Sequence, residues 1–282
     1  MGGTRLPRKD GLLKLGKLPA VEPPLRLTSY IPTAKLPEAP VNFGWDYLIP
    51  SWPMFANDLR SCCVFSGAGH EHQIFDVSGK RDATFVDAGI LEGYSAVTGF
   101  NPADPATDQG TVVAKAMEWR RTVGLADATG QRHRLAAYAG LEAYGSQIDL
   151  HQLASVAWLF GVAGIGITMR QSAVDQFKAG QPWDVAPAGQ EILGGHYVVV
   201  CGRKDGYWHV VTWGKVQPVT DAFLLTNCDE AWAVVSTEQF NNGLNLDGLD
   251  ESKWAADIEA IPGAVVTPEP ARKRAPKKQI PA

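Results

Sequence analysis

The stretch Asn57–His70 reads NDLRSCCVFSGAGH. A polar, turn-like lead-in gives way at Cys63 to a run of small residues, Ser66, Gly67, Ala68 and Gly69. Small residues let neighbouring elements approach a backbone closely, so the pattern predicts a tightly packed helix that begins at or just before Cys63. A cysteine where a loop becomes a helix meets the partial positive charge of the helix N-terminus, which favours the thiolate. A cysteine nucleophile also needs a base within reach and donors aimed at the developing oxyanion. Whether one of these two adjacent thiols is a nucleophile therefore turns on the base that the rest of the chain offers.

Of the six histidines, His196 is the best candidate. It follows Gly194 and Gly195 and opens the apolar run HYVVVCG, a place where a strand's backbone can lie close to a ligand. A KDG turn leads to the expected hairpin partner GYWHVVTWG, in which His209 reads as structural. His70, His72, His133 and His151 fall in predicted helices or a strand with no glycine-flanked exposure. Trp183 and Trp213 are candidates for the wall of a cleft near His196, whereas Trp208 reads as hairpin packing.

Around these residues the 282-residue chain divides into three parts. Residues 1–44 are a proline-rich extended arm with apolar side chains at intervals (Leu15, Leu27, Tyr30, Ile31), a pattern suited to lying on a surface. Residues 45–262 form the body, and residues 263–282 a basic tail expected to be disordered. Within the body, the half from 45 to 160 carries, after the helix at Cys63, helical periods over Asp82–Gly99 and Thr107–Gly124, and Asp149 caps a further helix. The apolar run Leu153–Met169 reads as a buried helix passing through a glycine turn into a buried strand rather than as a membrane span. From 161 to 262 the period changes to β-rich runs, with a short helix near Ser252–Ile261. Helices followed by an antiparallel sheet give an α+β class.

The net charge of −4 hides an asymmetry: residues 1–26 and 263–282 are each basic, and the body between them is strongly acidic. Basic ends suit contact with something anionic or with other subunits. The tail sequence ARKRAPKK lacks interleaved aromatics, so no specific nucleic-acid partner is expected, and no membrane partner either. The chain has no CxxC pair, no histidine at zinc-ligand spacing from a cysteine, no Walker loop, no HExxH and no EF-hand loop. No metal or cofactor is expected. The first residues show no apolar run of signal length, which points to free thiols in a reducing compartment.

A cysteine opening the first helix, further helices, then GGH at a strand start and a hairpin strand ending in TWG together resemble the papain-like cysteine peptidases. The wording WPMFAND, YSAVTGFNP, TDQG, GQPWDV, GGH and VVTWG, over residues 45–240, is similar to papain-like proteins of actinobacterial tailed phages and prophages. The resemblance implies a helical half bearing the nucleophile, packed on a β half. It implies Cys63 rather than Cys62 as nucleophile, His196 as general base, and Asn57 in the place of the family's oxyanion glutamine. Gly195, Trp183 and Trp213 are then the expected substrate contacts, and a peptide or protein is the expected substrate. Aligned on Trp213-Gly214, Val211 stands in the place of the family's orienting asparagine. That role is thus absent, or passes to Thr212 or to a residue from elsewhere such as Asn227 or Asp229. What the resemblance implies is a phage or prophage cysteine hydrolase in the bacterial host cytoplasm or virion, with phage structural proteins as partners of the two arms. The alternatives are an inactive papain-like scaffold serving as a virion structural protein, and an amidase cutting cell-wall peptides.

Overall fold

Helices dominate before Gly161 and strands after it in the computed structural model, which describes residues 13–79 and 82–237 together with Ser252, Ala255 and Ala256. The basic tail lies outside the described residues, as does most of the helix expected near Ser252–Ile261. Helix α1 spans Cys63–Ser78, starting at the nucleophile candidate. Other α-helices among the described residues are α2 (Asp87–Thr98), α3 (Val113–Thr122), α4 (Leu150–Phe160), α5 (Gln171–Lys178) and α6 (Asp221–Asn227).

Two of these start later than periodicity suggests. Val86 is extended, and Phe85 before it is buried against His72 and His133, so α2 begins only at Asp87, whose charge suits a helix N-terminus. Helix α3 begins at Val113 because Gly110 adopts a left-handed φ of +86° and Asp108 is engaged elsewhere. Asp149 does cap α4, accepting from the Gln152 amide at 3.0 Å. Gly161 then turns left-handed and releases the chain into a buried strand. Among the described residues no helix is long and apolar enough to cross a membrane.

The strands are β1 (Phe43–Gly44), β2 (Leu125–Ala126), β3 (Arg132–His133), β4 (Leu135–Gly140), β5 (Ala163–Arg170), β6 (Ile192–Lys204), β7 (Tyr207–Thr212), β8 (Lys215–Val219) and β9 (Cys228–Ser236). Seven form one antiparallel sheet in the order β4-β9-β5-β6-β7-β8, with β1 also on β6; β2 and β3 form a separate ribbon. The half read as helical thus lends β4 to the sheet, because its apolar residues LAAYAG are buried on both faces, while β1 comes from the end of the proline-rich segment.

Helix α1 lies on β6, and glycines set the distance. A Cβ on Gly67 would meet the Tyr197 ring, and one on Gly164 of β5 would overlap the Tyr197 hydroxyl. That hydroxyl donates to Glu71 of α1 at 2.6 Å, and Glu71 is paired with Arg120 of α3; both charged side chains are fully buried. The proline-rich segment, described from Leu13, is built into this body: Leu27, Tyr30, Ile31 and Leu36 belong to the core.

Candidate active site

Cys63 stands first in α1, at an N-terminus that no side chain caps. First-turn amides therefore face the space around its thiol. The loop before it is braced. Phe55 and Ala56 both take left-handed φ values, 50° and 60°, a strained pair just ahead of Asn57. The Ser61 amide donates to Asp108, whose carboxylate also accepts from the Tyr94 hydroxyl, and that hydroxyl in turn accepts from the Gly110 amide. The TDQG and YSAVTG motifs thus fix the loop two residues ahead of the nucleophile candidate, a role their sequences did not announce. Cys62 points elsewhere: its thiol meets the Phe55 carbonyl at 3.5 Å, and burial pushes it up to about 12. None of the four cysteines is joined in a disulfide.

His196 lies near the start of β6, fully buried. Its Nε2 is 2.6 Å from the Thr212 hydroxyl, and its ring stacks on Trp213 with centroids 4.3 Å apart. Trp213 reaches that position by accepting a left-handed φ of 44°, followed by Gly214 at 78°, the geometry of a tight two-residue hairpin turn between β7 and β8. Val211 turns to the other face of β7 and is buried. Of the replacements considered for the orienter, Thr212 alone bonds the imidazole; Asn227 donates to the Phe223 carbonyl and Asp229 pairs with Lys17. With the proton on Nε2 donated to Thr212, Nδ1 keeps its lone pair, and it has no hydrogen-bond partner among the described residues.

The two halves of the site meet across the N-terminal arm. The Gly16 amide donates to the Gly195 carbonyl at 3.2 Å, and a Cβ on Gly16 would overlap the Ser61 carbonyl. A single glycine thus separates the residue before His196 from the one two places before Cys63. On one side, the Lys14 amide donates to the Asn57 carbonyl and the Trp213 indole donates to the Lys14 carbonyl. On the other, Thr111 exchanges backbone bonds with Gly16 and Leu18. The arm thus fills the space between the two candidate segments.

The other predicted residues fall in different places. Gly195 lines the cleft and gives its carbonyl to two arm amides, those of Gly16 and Lys17. Asn57 is adjacent but its side-chain amide donates to the Arg60 carbonyl at 3.0 Å, closing the 57–60 turn rather than standing idle for an oxyanion. Trp183 is fully buried behind Trp213, against Phe223, with its indole donating to the Ala173 carbonyl; it supports the cleft wall from within and does not line it. His70, His133 and His209 bond to Pro53, Asp127 and Asp46, structural positions all three.

Burial alone lowers His196 to about 3, and burial also lowers His70, to about 4 despite its bond to Pro53. An unfolded histidine takes its proton near pH 6.5. Between that value and the folded ones the unfolded state binds more protons, so stability falls as pH drops through this window. Each histidine contributes a slope of about 1.4 kcal/mol per pH unit. Urea titrations between pH 7 and 5 should show this loss, and His196→Gln should remove roughly half of it. An unchanged slope would mean that His196 is hydrated in solution.

No family model matches the sequence, and no curated protein matches it either. The fold, by contrast, is shared with solved structures. Xylellain, a cysteine protease from Xylella fastidiosa, superposes with a TM-score of 0.63 at 12% identity, over 83% of this chain and all of that one. Procathepsin L 3 from the larval midgut of Tenebrio molitor gives 0.51 at 15% identity, over 80% of this chain and 77% of that one. Procathepsin B S9 from Trypanosoma congolense gives 0.50 at 14%, over 79% and 86%. The chain has a papain-like α+β fold.

Proposed function

We propose that the chain is a cysteine hydrolase that cuts peptide bonds, with Cys63 as nucleophile, His196 as general base and Thr212 positioning the imidazole. One observation carries this reading: a buried histidine held by its Nε2, with Nδ1 unpartnered, one glycine away from the loop that delivers a helix-opening cysteine. In the reaction His196 Nδ1 takes the Cys63 thiol proton as sulfur attacks the carbonyl carbon. The same proton passes to the leaving nitrogen as the C–N bond breaks, and water then releases the acyl group from sulfur with His196 again as base. Helix α1 amides stabilise the oxyanion. Thr212 is a weaker orienter than an amide carbonyl, because a hydroxyl both donates and accepts and so does not impose one tautomer. Trp213 compensates by fixing the ring plane.

The motif wording supports an origin in an actinobacterial tailed phage or prophage, with action in the host cytoplasm or virion and phage structural proteins as partners. A second reading, a scaffold whose chemistry is retired, is favoured by the arm in the cleft and by the neutral state that burial imposes on His196. Alkylation by iodoacetamide from pH 5 to 9, read site by site, decides between them. It should be run on the intact chain and on Lys17→Glu, in which Asp229 and Glu230 repel the arm. Cys63 should react with an apparent pKa below the ordinary 8.5 or so, and His196→Ala should abolish that advantage. Cys201 and Cys228, whose thiols burial pushes up, are internal references. If Cys63 reacts no faster than they do in Lys17→Glu, the hydrolase reading fails.

A further inference from the structure

The ammonium of Lys17 lies 2.9 Å from Asp229 and 3.1 Å from Glu230, and its side chain is only 1% exposed. Adjacent strand residues normally point to opposite faces, so two neighbouring carboxylates on one cation need an explanation. It lies in the pairing of β5 with β9, where Ile167 faces Cys228 but Gly166 faces Glu230. Asp229 is the extra residue of a bulge, and the bulge aims both acids the same way. Opposite them, a Cβ on Gly166 would collide with the Lys17 stem, so the missing side chain leaves the slot that the lysine fills. Trp232 donates its indole N–H to the other Glu230 oxygen and fixes that carboxylate.

The backbone carrying Lys17 is held as an added strand is held: the Lys17 amide donates to Gly195, and Gly16 and Leu18 bond Thr111 on the other flank. Glu230 is 3% exposed and Asp229 41%, so the slot is closed at its floor and open at its mouth. Burial raises the Glu230 carboxyl in spite of Lys17; burial also opposes the Lys17 charge, but the two acids outweigh it and hold the ammonium protonated.

We infer that this slot is the specificity pocket of the cleft, which takes the lysine or arginine side chain of an extended peptide in the place that Lys17 fills in cis. The inference rests on the hydrolase reading for its consequence, preferential cleavage of basic peptides, but not for the binding itself. The arm segment LKLGKL (13–18) supplies the probe. A fluorescein-labelled LKLGKL peptide and its analogue with norleucine at the position of Lys17 are titrated, by anisotropy, into the full-length Lys17→Ala chain. The lysine peptide should bind at least tenfold more tightly, and Glu230→Gln in the same chain should erase the difference. Equal affinities, or no binding of either peptide, overturn the pocket. If Lys17→Ala does not fold, the same pair is compared in the intact chain, where both must displace the arm and the tenfold ratio is read unchanged.

Fluorogenic peptides with lysine or norleucine walked through each position separate the two claims. Cleavage without a lysine preference overturns the pocket and leaves the hydrolase standing. Lysine-dependent binding with no cleavage and no fast alkylation of Cys63 supports the pocket and sinks the hydrolase.

Discussion

Arg120→Met is expected to destabilise the fold by about 3–5 kcal/mol. Arg120 and Glu71 are fully buried, and the arginine is the charge partner that the structure gives the Glu71 carboxylate. Removing it strands an anion in the core between α1 and β6. The Tyr197 hydroxyl, which donates to the same carboxylate, cannot replace a full charge. Against a typical total of about 5–15 kcal/mol, such a loss leaves a marginal protein. Glu71→Met/Arg120→Met should recover most of it, since exchanging a whole buried pair for apolar side chains is often close to neutral. Urea midpoints of the single and double variants measure both effects. A single-variant loss under about 1 kcal/mol would mean that the fold does not depend on the Arg120–Glu71 pair. The triad matters to the site because it ties the helix that opens with Cys63 to the strand that carries His196.

On the proposed mechanism, Thr212→Val should slow acylation of Cys63 by about 10²–10⁴, some 3–5 kcal/mol of barrier, by analogy with the loss of an orienting group elsewhere. Valine matches threonine in shape, and the site is 3% exposed, so the cleft keeps its form. What goes is the partner 2.6 Å from His196 Nε2. On the proposed mechanism the imidazole then loses the hydroxyl that holds its ring, and a proton placed on Nδ1 leaves that nitrogen unable to act as a base. The loss should fall on kcat with KM little changed, and Thr212→Ser, which keeps the hydroxyl, should restore most of the rate. A Thr212→Val chain within threefold of the parent would show that Trp213 stacking alone orients the ring.

Much of this protein was legible in its sequence because the signals are local. The small residues after Cys63, the Asp149 cap and the Gly161 break each act within a few residues, and each lies at the boundary that its chemistry requires; the GGH run does not open its strand, because β6 already begins at Ile192, where pairing with Arg170 of β5 extends it. Later helix starts escaped notice because Phe85 and Asp108 are claimed by distant partners, His72 and Ser61, that outbid local propensity. Trp183 reads as a cleft aromatic and is a core one, since sequence reports a side chain's size but not the face it turns.

The local sequence determined the helix that opens with Cys63, the hairpin and the α+β class, all products of short-range periodicity and turn chemistry. Only the tertiary structure decided that Thr212 rather than Val211 meets His196, that the arm fills the cleft, and that Lys17 reaches across 212 residues to Asp229. The physical reason is register. Side chains on a strand alternate, so a one-residue slip or a single bulge decides which of two neighbours faces the site. That choice is fixed by packing between segments far apart in the chain, here β5 against β9 and β7 against β6.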